Sequence, residues 1–267
     1  MPDTPVIFTE NLTRKYGKEI VVDRINLCVL QGQIFGLLGP NGAGKTTTIK
    51  MLTTLLEPSS GSAKVAGFDL LSESSQVRRR IGYVPQMLSA DGSLTGRENL
   101  VLSAKLYGIS KTERMTRIQE ALTLMGLEES SQKLVKTYSG GMIRRLELAQ
   151  AMLHYPVVLI LDEPTIGLDP VARRVVWDRL LDLRRDYKMT ILLTTHDMEE
   201  ADYLCDELAI LHEGLVVAAG PPLKLKNSIG PAATLEDVFA HFSGGAISEG
   251  GNYRDVRQTR RTFTRLS

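Results

Sequence analysis

The sequence has few cysteines, no long apolar stretch and almost no net charge. Its two cysteines among 267 residues, Cys28 and Cys205, lack metal-ligand spacing, and we expect both to be reduced. No segment approaches the about 18 consecutive apolar residues of a membrane span. Residues 1–6 lack the basic and apolar regions of a signal peptide, so we expect none. The sequence predicts a protein that reaches a membrane only through a partner.

The net charge is +1, because 32 Lys and Arg residues are balanced by 31 Asp and Glu residues. Nucleic-acid-binding proteins concentrate basic charge to neutralise phosphates. This chain has no general basic field, so we predict no nucleic-acid partner. Its hydrophobic fraction of 43% and charged fraction of 24% are those of an ordinary globular protein.

The order of apolar segments predicts an α/β fold around a parallel sheet. Residues 6–35 and 61–84 have strand character. Short apolar runs at 34–38 and 157–161 are typical of strands buried on both faces, and 190–195 is a further central strand. Because such strands alternate with helical segments, we predict a central parallel sheet.

Several helices are predicted from their apolar stripes and from capping residues at their starts. One helix is predicted over 46–56, and the middle of the chain is helical. The predicted starts share a side chain that accepts hydrogen bonds from backbone amides: Ser110, which we expect to form a capping box with Glu113, Asp169 before Pro170, and Thr234 with Asp237. From Gly244 onward glycine and arginine dominate, so we predict a domain at 1–243 and a disordered basic tail at 244–267.

Residues 39–46 match the phosphate-loop pattern G-x-x-x-x-G-K-S/T between an apolar strand and a helix. Glycines let the backbone curl around phosphate oxygens, and the helix N-terminus favours an anion. Lys45 can reach the β- and γ-phosphates, and the Thr46 hydroxyl can ligate Mg²⁺. We therefore predict ATP and Mg²⁺ as cofactors, with ATP contacts at Gly39, Pro40, Asn41, Gly42, Ala43, Gly44, Lys45, Thr46 and Thr47.

Two carboxylates, Asp162 and Glu163, follow the apolar run 157–161. The carboxyl ends of central strands are where α/β sheets place ligands. Asp162 is the expected Mg²⁺ partner of Thr46, and Glu163 is placed to polarise an attacking water. An isolated Asp-Glu pair usually lies in a solvated loop, but the buried strand that precedes Asp162 and Glu163 favours the catalytic interpretation.

The remaining motifs resemble those of ABC ATPases, in the same order and at similar spacing. The segment 138–142, with Ser139, Gly140 and Gly141, resembles the signature motif. The other matches are Gln86 for the Q-loop glutamine, 167–169 with Asp169 for the D-loop, His196 for the switch histidine, and Tyr16 for the aromatic residue that stacks on adenine.

The resemblance covers about residues 6–242 and implies a P-loop NTPase fold of the ABC type. It implies a RecA-like core, an antiparallel β subdomain and a helical subdomain at about 88–156. Two such domains would meet head to tail, with each ATP between the phosphate loop of one and the signature of the other. The implied site residues beyond the phosphate loop are Glu163, His196 and Gln86 for catalysis, Thr46, Gln86 and Asp162 for the metal, and Tyr16, Ser139, Gly140, Gly141 and Asp169 for ATP.

Two positions of the signature depart from the family pattern. Tyr138 and Met142 stand where leucine and glutamine are usual. Ser139 can still donate to a γ-phosphate oxygen, and the two glycines permit close backbone approach. Met142 could face the core, so we expect ATP hydrolysis to survive the departure.

The segment 234–239 resembles the end of the ATPase domain in ABC-2 type exporters, the group that includes daunorubicin-type drug, nodulation-factor and polysaccharide systems. The resemblance implies a subunit that energises a separate membrane permease, with drug or antibiotic export as the first expectation and lipid or glycan export as the second. We expect a second ATPase subunit as partner, in a homodimer, and a cytoplasmic location, peripheral on the inner face of the cell membrane.

Two alternatives stay open at this point. A soluble ABC ATPase could act on nucleic acid or ribosomes, although such relatives usually carry a long coiled-coil insertion or two ATPase domains, and this chain has one copy of each motif. A nucleotide-binding regulator without turnover is the other alternative, and the presence of Glu163 and His196 argues against it.

Overall fold

The computed structural model describes residues 5–244. The predicted disordered tail therefore lies outside the described residues, apart from Gly244, and its prediction stays untested. Among residues 5–244, no helix combines the length and the apolar character that crossing a bilayer requires.

Eleven strands are described within residues 5–244, in two sheets. In chain order they are β1 (Pro5–Tyr16), β2 (Glu19–Ile25), β3 (Cys28–Leu30), β4 (Ile34–Leu38), β5 (Ser60–Val65), β6 (Phe68–Asp69), β7 (Ile81–Val84), β8 (Val158–Asp162), β9 (Thr190–Thr195), β10 (Glu207–His212) and β11 (Leu215–Gly220).

The same residues form nine α-helices. They are α1 (Lys45–Leu52), α2 (Ser74–Arg80), α3 (Gly96–Leu106), α4 (Lys111–Met125), α5 (Gly140–Met152), α6 (Pro170–Tyr187), α7 (Met198–Leu204), α8 (Pro222–Ile229) and α9 (Leu235–Phe242).

The central sheet has the order β11-β10-β4-β9-β8-β7, and every pairing in it is parallel except that of β10 with β11. Strands β4, β8 and β9 are buried along their whole length, as expected for strands covered on both faces. The predicted parallel sheet is therefore confirmed. Because Leu38 pairs with Thr195 and Asp162 with Thr194, these strands end at one edge of the sheet.

The second sheet is antiparallel, with the order β2-β1-β5-β6 and β3 paired with β1. The two faces of the central sheet contribute to two separate hydrophobic clusters, because successive side chains of a strand point to opposite faces. In β4, Phe35 and Leu37 pack in the cluster that contains residues of the antiparallel sheet and α1, whereas Ile34 and Leu38 pack in the cluster that contains residues of α3–α6.

Several elements differ from the sequence prediction. Helix α1 ends at Leu52 instead of residue 56, because the chain leaves the helix at Thr53 and Thr54 has a positive φ of 62°. Helix α2 lies inside 61–84, which we predicted as strands. Its seven residues bury Val77 alone, so it lacks the apolar stripe that identifies a helix. Strand β8 begins at Val158, one residue later than predicted.

An N-cap side chain is found at all three predicted helix starts, but the capping box predicted for Ser110 and Glu113 is not formed. Asp169 accepts from the Ala172 amide, and Thr234 forms a reciprocal capping box with Asp237. Ser110 accepts from the Glu113 amide, but the Glu113 carboxylate accepts from the Ser110 hydroxyl instead of its amide. Helices α3–α5, which lie between β7 and β8 in the chain, pack against one another inside the predicted helical subdomain at 88–156. The division into subdomains stays a prediction.

Candidate functional site

The phosphate loop connects β4 to α1 and is held against the rest of the domain by close backbone contacts. A Cβ at Gly39 would overlap the carbonyl oxygen of Leu211, and a Cβ at Gly44 would lie 2.8 Å from that of Val21. Gly44 also has a φ of 101°, a left-handed conformation that favours glycine. The glycines therefore serve the position of the loop as well as the approach of phosphate.

Lys45 begins α1 and is almost fully buried, with 4% of its surface exposed. Its ammonium donates to the carbonyl oxygens of Gly39 at 2.7 Å and Pro40 at 3.1 Å. It also lies 3.2 Å from Oε1 of Glu163. The contacts fix a positive charge inside the loop, next to the carboxylate at the sheet edge.

Thr46 and Asp162 come together as the sequence predicted. The Thr46 hydroxyl donates to Oδ1 of Asp162 at 3.1 Å, and the Thr194 hydroxyl donates to the same oxygen at 2.7 Å. A hydroxyl and a carboxylate oxygen beside a phosphate loop are the hard donors that Mg²⁺ prefers, with phosphate oxygens and waters as further ligands. The donor set therefore fits Mg²⁺. Burial and the charge of Asp162 raise the pKa of neighbouring Tyr83 to about 12.

Glu163 follows β8 in a left-handed conformation, with a φ of 49° that is unusual for a residue with a side chain. Its amide donates to the Thr194 carbonyl and hydroxyl oxygens at 3.2 and 2.9 Å, which holds this conformation. Oε2 of Glu163 lies 3.2 Å from Nδ1 of His196 and 3.5 Å from Nε2 of Gln86. The three residues predicted for catalysis therefore meet at one carboxylate, beside Lys45.

A cavity of about 300 Å³ opens at this edge of the sheet. It is lined by Val21, Asn41, Gly42, Gly44, Lys45, Thr46, Thr47, Gln86 and Glu163. All of these except Val21 are predicted site residues. Gly39 and Ala43 are buried behind the lining, and Pro40 is exposed. The cavity places polar and positively charged groups where a nucleotide's phosphates would bind.

The signature segment lies elsewhere in the chain. Ser139 is exposed, and its hydroxyl accepts from the Met142 amide at 3.3 Å, so it caps α5. A Cβ at Gly140 would lie 3.2 Å from Leu168, and one at Gly141 would lie 2.8 Å from the Cβ of Ala172. Within residues 5–244, no signature residue lines the cavity beside Lys45.

The two departures from the family pattern have structural explanations. The Tyr138 hydroxyl donates to the Ser130 carbonyl oxygen at 2.6 Å, and its ring is buried. Met142 is partly buried against the core cluster that contains residues of α3–α6, as we expected for a side chain turned away from nucleotide.

Two further predicted contacts with ATP also lie outside the cavity lining. Tyr16 ends β1 with 47% of its surface exposed, and the guanidinium of Arg14 lies 4.6 Å from the centre of its ring. Asp169 is exposed and caps α6 through the Ala172 amide at 2.9 Å. Their roles toward ATP stay predictions.

Sequence reasoning missed two residues that hold the site together. Thr194 bonds both Asp162 and Glu163, and the only available signal was its place in the strand just before His196. Asp197, which follows His196, caps α7 and forms an ion pair with Arg173 of α6. That ion pair joins the segment of His196 to the helix that begins after the D-loop. No sequence signal predicts it, because the partners are 24 residues apart.

A glycine-rich phosphate loop before α1, with Asp162 and Glu163 at the adjacent carboxyl end of a parallel sheet, defines a P-loop NTPase. The family model described as ABC transporter matches residues 22–166, more than half of the chain. The chain belongs to the ABC transporter family.

Two relatives and one solved structure are similar to this chain over most of its length. The daunorubicin/doxorubicin resistance ATP-binding protein DrrA of Streptomyces peucetius is 46% identical over 85% of this chain and 68% of its own. The Nod factor export ATP-binding protein I of Ralstonia nicotianae is 43% identical over 83% and 69%. A dimeric ATP-binding cassette in a post-hydrolysis state with ADP and Pi has a TM-score of 0.71 and 26% identity, and covers 80% of this chain and 98% of that one.

Family membership, fold and site together identify an ATP-binding and ATP-hydrolysing subunit of an ABC transporter. The resemblance to ABC-2 type exporter ATPases is confirmed. The comparisons give no support to the alternative of a soluble ATPase acting on nucleic acid or ribosomes.

Proposed function

We propose that this chain energises the export of a drug or an antibiotic, or else of a lipid or a glycan, through a separate integral membrane permease. The observation that carries the proposal is the convergence of Lys45, Gln86 and His196 on the Glu163 carboxylate, which supplies the chemistry of ATP hydrolysis. Similarity to a drug resistance ATP-binding protein and to a Nod factor export ATP-binding protein supports the direction and the cargo class.

Each residue at the convergence has a distinct proposed role. Lys45 and the loop amides neutralise the β- and γ-phosphates, and Thr46 with Asp162 would hold Mg²⁺, which stabilises the charge that develops on the phosphates. Glu163 accepts the proton of the attacking water. His196 lies against Glu163, where it orients that carboxylate and can contact the γ-phosphate. Gln86 contacts the same carboxylate as a further catalytic residue, and its side chain would be an additional Mg²⁺ ligand.

The separation of the signature from the cavity supports a composite site between two copies. In this arrangement Ser139, Gly140 and Gly141 of one copy approach the γ-phosphate held by the other copy, with the N-terminus of α5 directed at the anion. Asp169 lies near the same interface. A similar cassette has been solved as a dimer with ADP and Pi, which favours a homodimer here.

The permease contact is proposed for the segment that follows Gln86. Met87 has 81% of its surface exposed and Leu88 has 52%, which leaves two adjacent apolar side chains in solvent. A cytoplasmic segment of the permease that covers them would contact the residues next to Gln86. A movement of that segment could then change the position of the Gln86 side chain relative to Glu163. We therefore propose that the chain is a peripheral subunit at the inner face of the cell membrane.

Phosphate release and partner capture test the proposal together. The purified full-length chain is expected to release phosphate from ATP only with Mg²⁺, and an affinity-tagged chain is expected to capture a membrane permease from detergent-solubilised membranes. Absence of phosphate release would support the regulator instead. Co-sedimentation with ribosomes, without capture of a membrane protein, would contradict the transport role.

A further inference from the structure

Two charged side chains of α5, Arg144 and Glu147, are buried together, with 2% and 3% of their surfaces exposed. Nη1 of Arg144 lies 3.0 Å from Oε2 of Glu147, three residues further along the helix. Burying an ion pair removes two charges from water, and apolar side chains of similar volume usually stabilise a core as well or better. The hydrogen bonds that the two side chains make, and not a gain in the stability of the fold, explain why charged residues occupy these positions.

The pair holds the main chain on both sides of Gln86. Arg144 donates to the carbonyl oxygens of Pro85 at 2.7 Å and Gln86 at 2.9 Å. Glu147 accepts from the Ser89 amide and, at 3.1 Å, from the Ser89 hydroxyl. Segment 85–89 therefore makes four hydrogen bonds with two side chains on one face of α5.

These hydrogen bonds connect the signature helix with the segment that carries Gln86. Helix α5 is capped by Ser139, the signature serine, and segment 85–89 carries the Gln86 side chain that lies 3.5 Å from Glu163. Burial lowers the pKa of Arg144, and the carboxylates of Glu147 and Asp162 oppose that shift. The guanidinium is therefore within electrostatic reach of Asp162, the last residue of β8.

We propose that Arg144 and Glu147 are positioning residues, which fix Gln86 against Glu163 and tie its place to that of the signature helix. The inference rests on the catalytic role proposed above for Gln86. Neither side chain contacts Glu163 in this arrangement, and both act through the main chain of 85–89. A shift of α5 would then move Gln86 with it.

The test removes both charges at once, so that no unpaired charge stays buried. In Arg144→Met/Glu147→Leu, kcat is expected to fall about tenfold while KM for ATP changes by less than about twofold, because displacement of a positioned group slows turnover. Amide exchange at Ser89, measured by hydrogen–deuterium exchange, is expected to accelerate about tenfold with the loss of its acceptor.

Arg145 provides a matched control, because it is the next residue and also donates to main-chain carbonyls. Its Nη1 bonds Met125 at 2.7 Å and Gly126 at 3.3 Å, so it holds the end of α4 instead of segment 85–89. Arg145→Met is expected to lower Tm and to leave both kcat and Ser89 exchange unchanged. If the double variant does not fold, Arg144→Lys, which keeps the charge and loses the forked donors, is measured in its place.

A double-mutant cycle with Gln86→Ala separates positioning from general damage. If the pair acts through Gln86, its removal costs no further kcat in the Gln86→Ala background. A further tenfold loss there, or unchanged Ser89 exchange, would overturn the proposal while leaving the role of Gln86 intact. Wild-type turnover in Gln86→Ala alone would instead refute the role proposed for Gln86, and the positioning inference with it.

Discussion

The phosphate loop and the signature segment both carry nucleotide motifs, but their surroundings differ. Lys45 and Thr46 lie within 3.2 Å of the acidic pair and line a cavity. Ser139 is exposed, and Gly141 packs against α6 instead of facing that cavity. Within one chain the phosphate half of the site is therefore assembled, whereas the signature half is exposed, and this difference is the basis of the proposal that two chains form one working site.

The difference between the two regions is tested most strongly by disabling the phosphate loop and the signature in separate variants. Lys45→Ala is expected to abolish ATP binding at micromolar nucleotide, because it removes a buried positive charge from the phosphate site. Ser139→Arg is expected to bind ATP like the wild type and to lose hydrolysis, because Ser139 touches only the partner's nucleotide in the composite site. Binding of a fluorescent ATP analogue and phosphate release measure the two effects.

Both variants have outcomes that contradict the account. Unchanged nucleotide binding in Lys45→Ala would remove this lysine from the phosphate site. Loss of monomer nucleotide binding in Ser139→Arg would show that the signature serves its own chain's nucleotide. A lower Tm in either variant, measured beside binding, identifies a folding defect.

The next effect concerns the chemistry of the completed half. Glu163→Gln is expected to keep ATP binding and to slow hydrolysis by about 10²–10⁴-fold, the range for a lost general base. The same variant is expected to accumulate an ATP-dependent dimer on size-exclusion chromatography, because ATP persists between the two halves. Turnover close to that of the wild type would remove Glu163 from the catalytic role.

A smaller effect tests how the signature half is held. Gly141→Ala is expected to reduce kcat by about tenfold, because its new methyl group would lie 2.8 Å from the Cβ of Ala172 and separate α5 from α6. The second change Ala172→Gly removes that clash and is expected to restore most of the turnover. If Gly141→Ala were fully active, close packing of these helices would be irrelevant to the signature.

The smallest effect is expected at Tyr16, the residue predicted to stack on adenine. Tyr16→Ala is expected to raise KM for ATP about fivefold, corresponding to about 1 kcal/mol of lost ring stacking. Tyr16→Phe keeps the ring and serves as its control. If both variants kept the KM of the wild type, Tyr16 would have no part in adenine binding.

The sequence predicted the residues of the phosphate half better than the residues that hold them in position. The loop 39–46, the buried strands and the acidic pair are local patterns with a direct physical reading, and the structure brings them together as expected. Thr194 and the ion pair of Asp197 with Arg173 were missed because the partners are distant in sequence. Helix α2 was missed because it buries one apolar side chain, so its periodicity carries no signal.

The central claim, that each working site combines two chains, is tested most directly by mixing the two disabled chains. Lys45→Ala and Ser139→Arg are each inactive alone, yet their heterodimer contains one site with an intact phosphate loop and an intact signature. The account predicts that an equal mixture regains about a quarter of the wild-type phosphate release, since half of the dimers form one of two sites. A mixture as inactive as its two components would contradict the composite site.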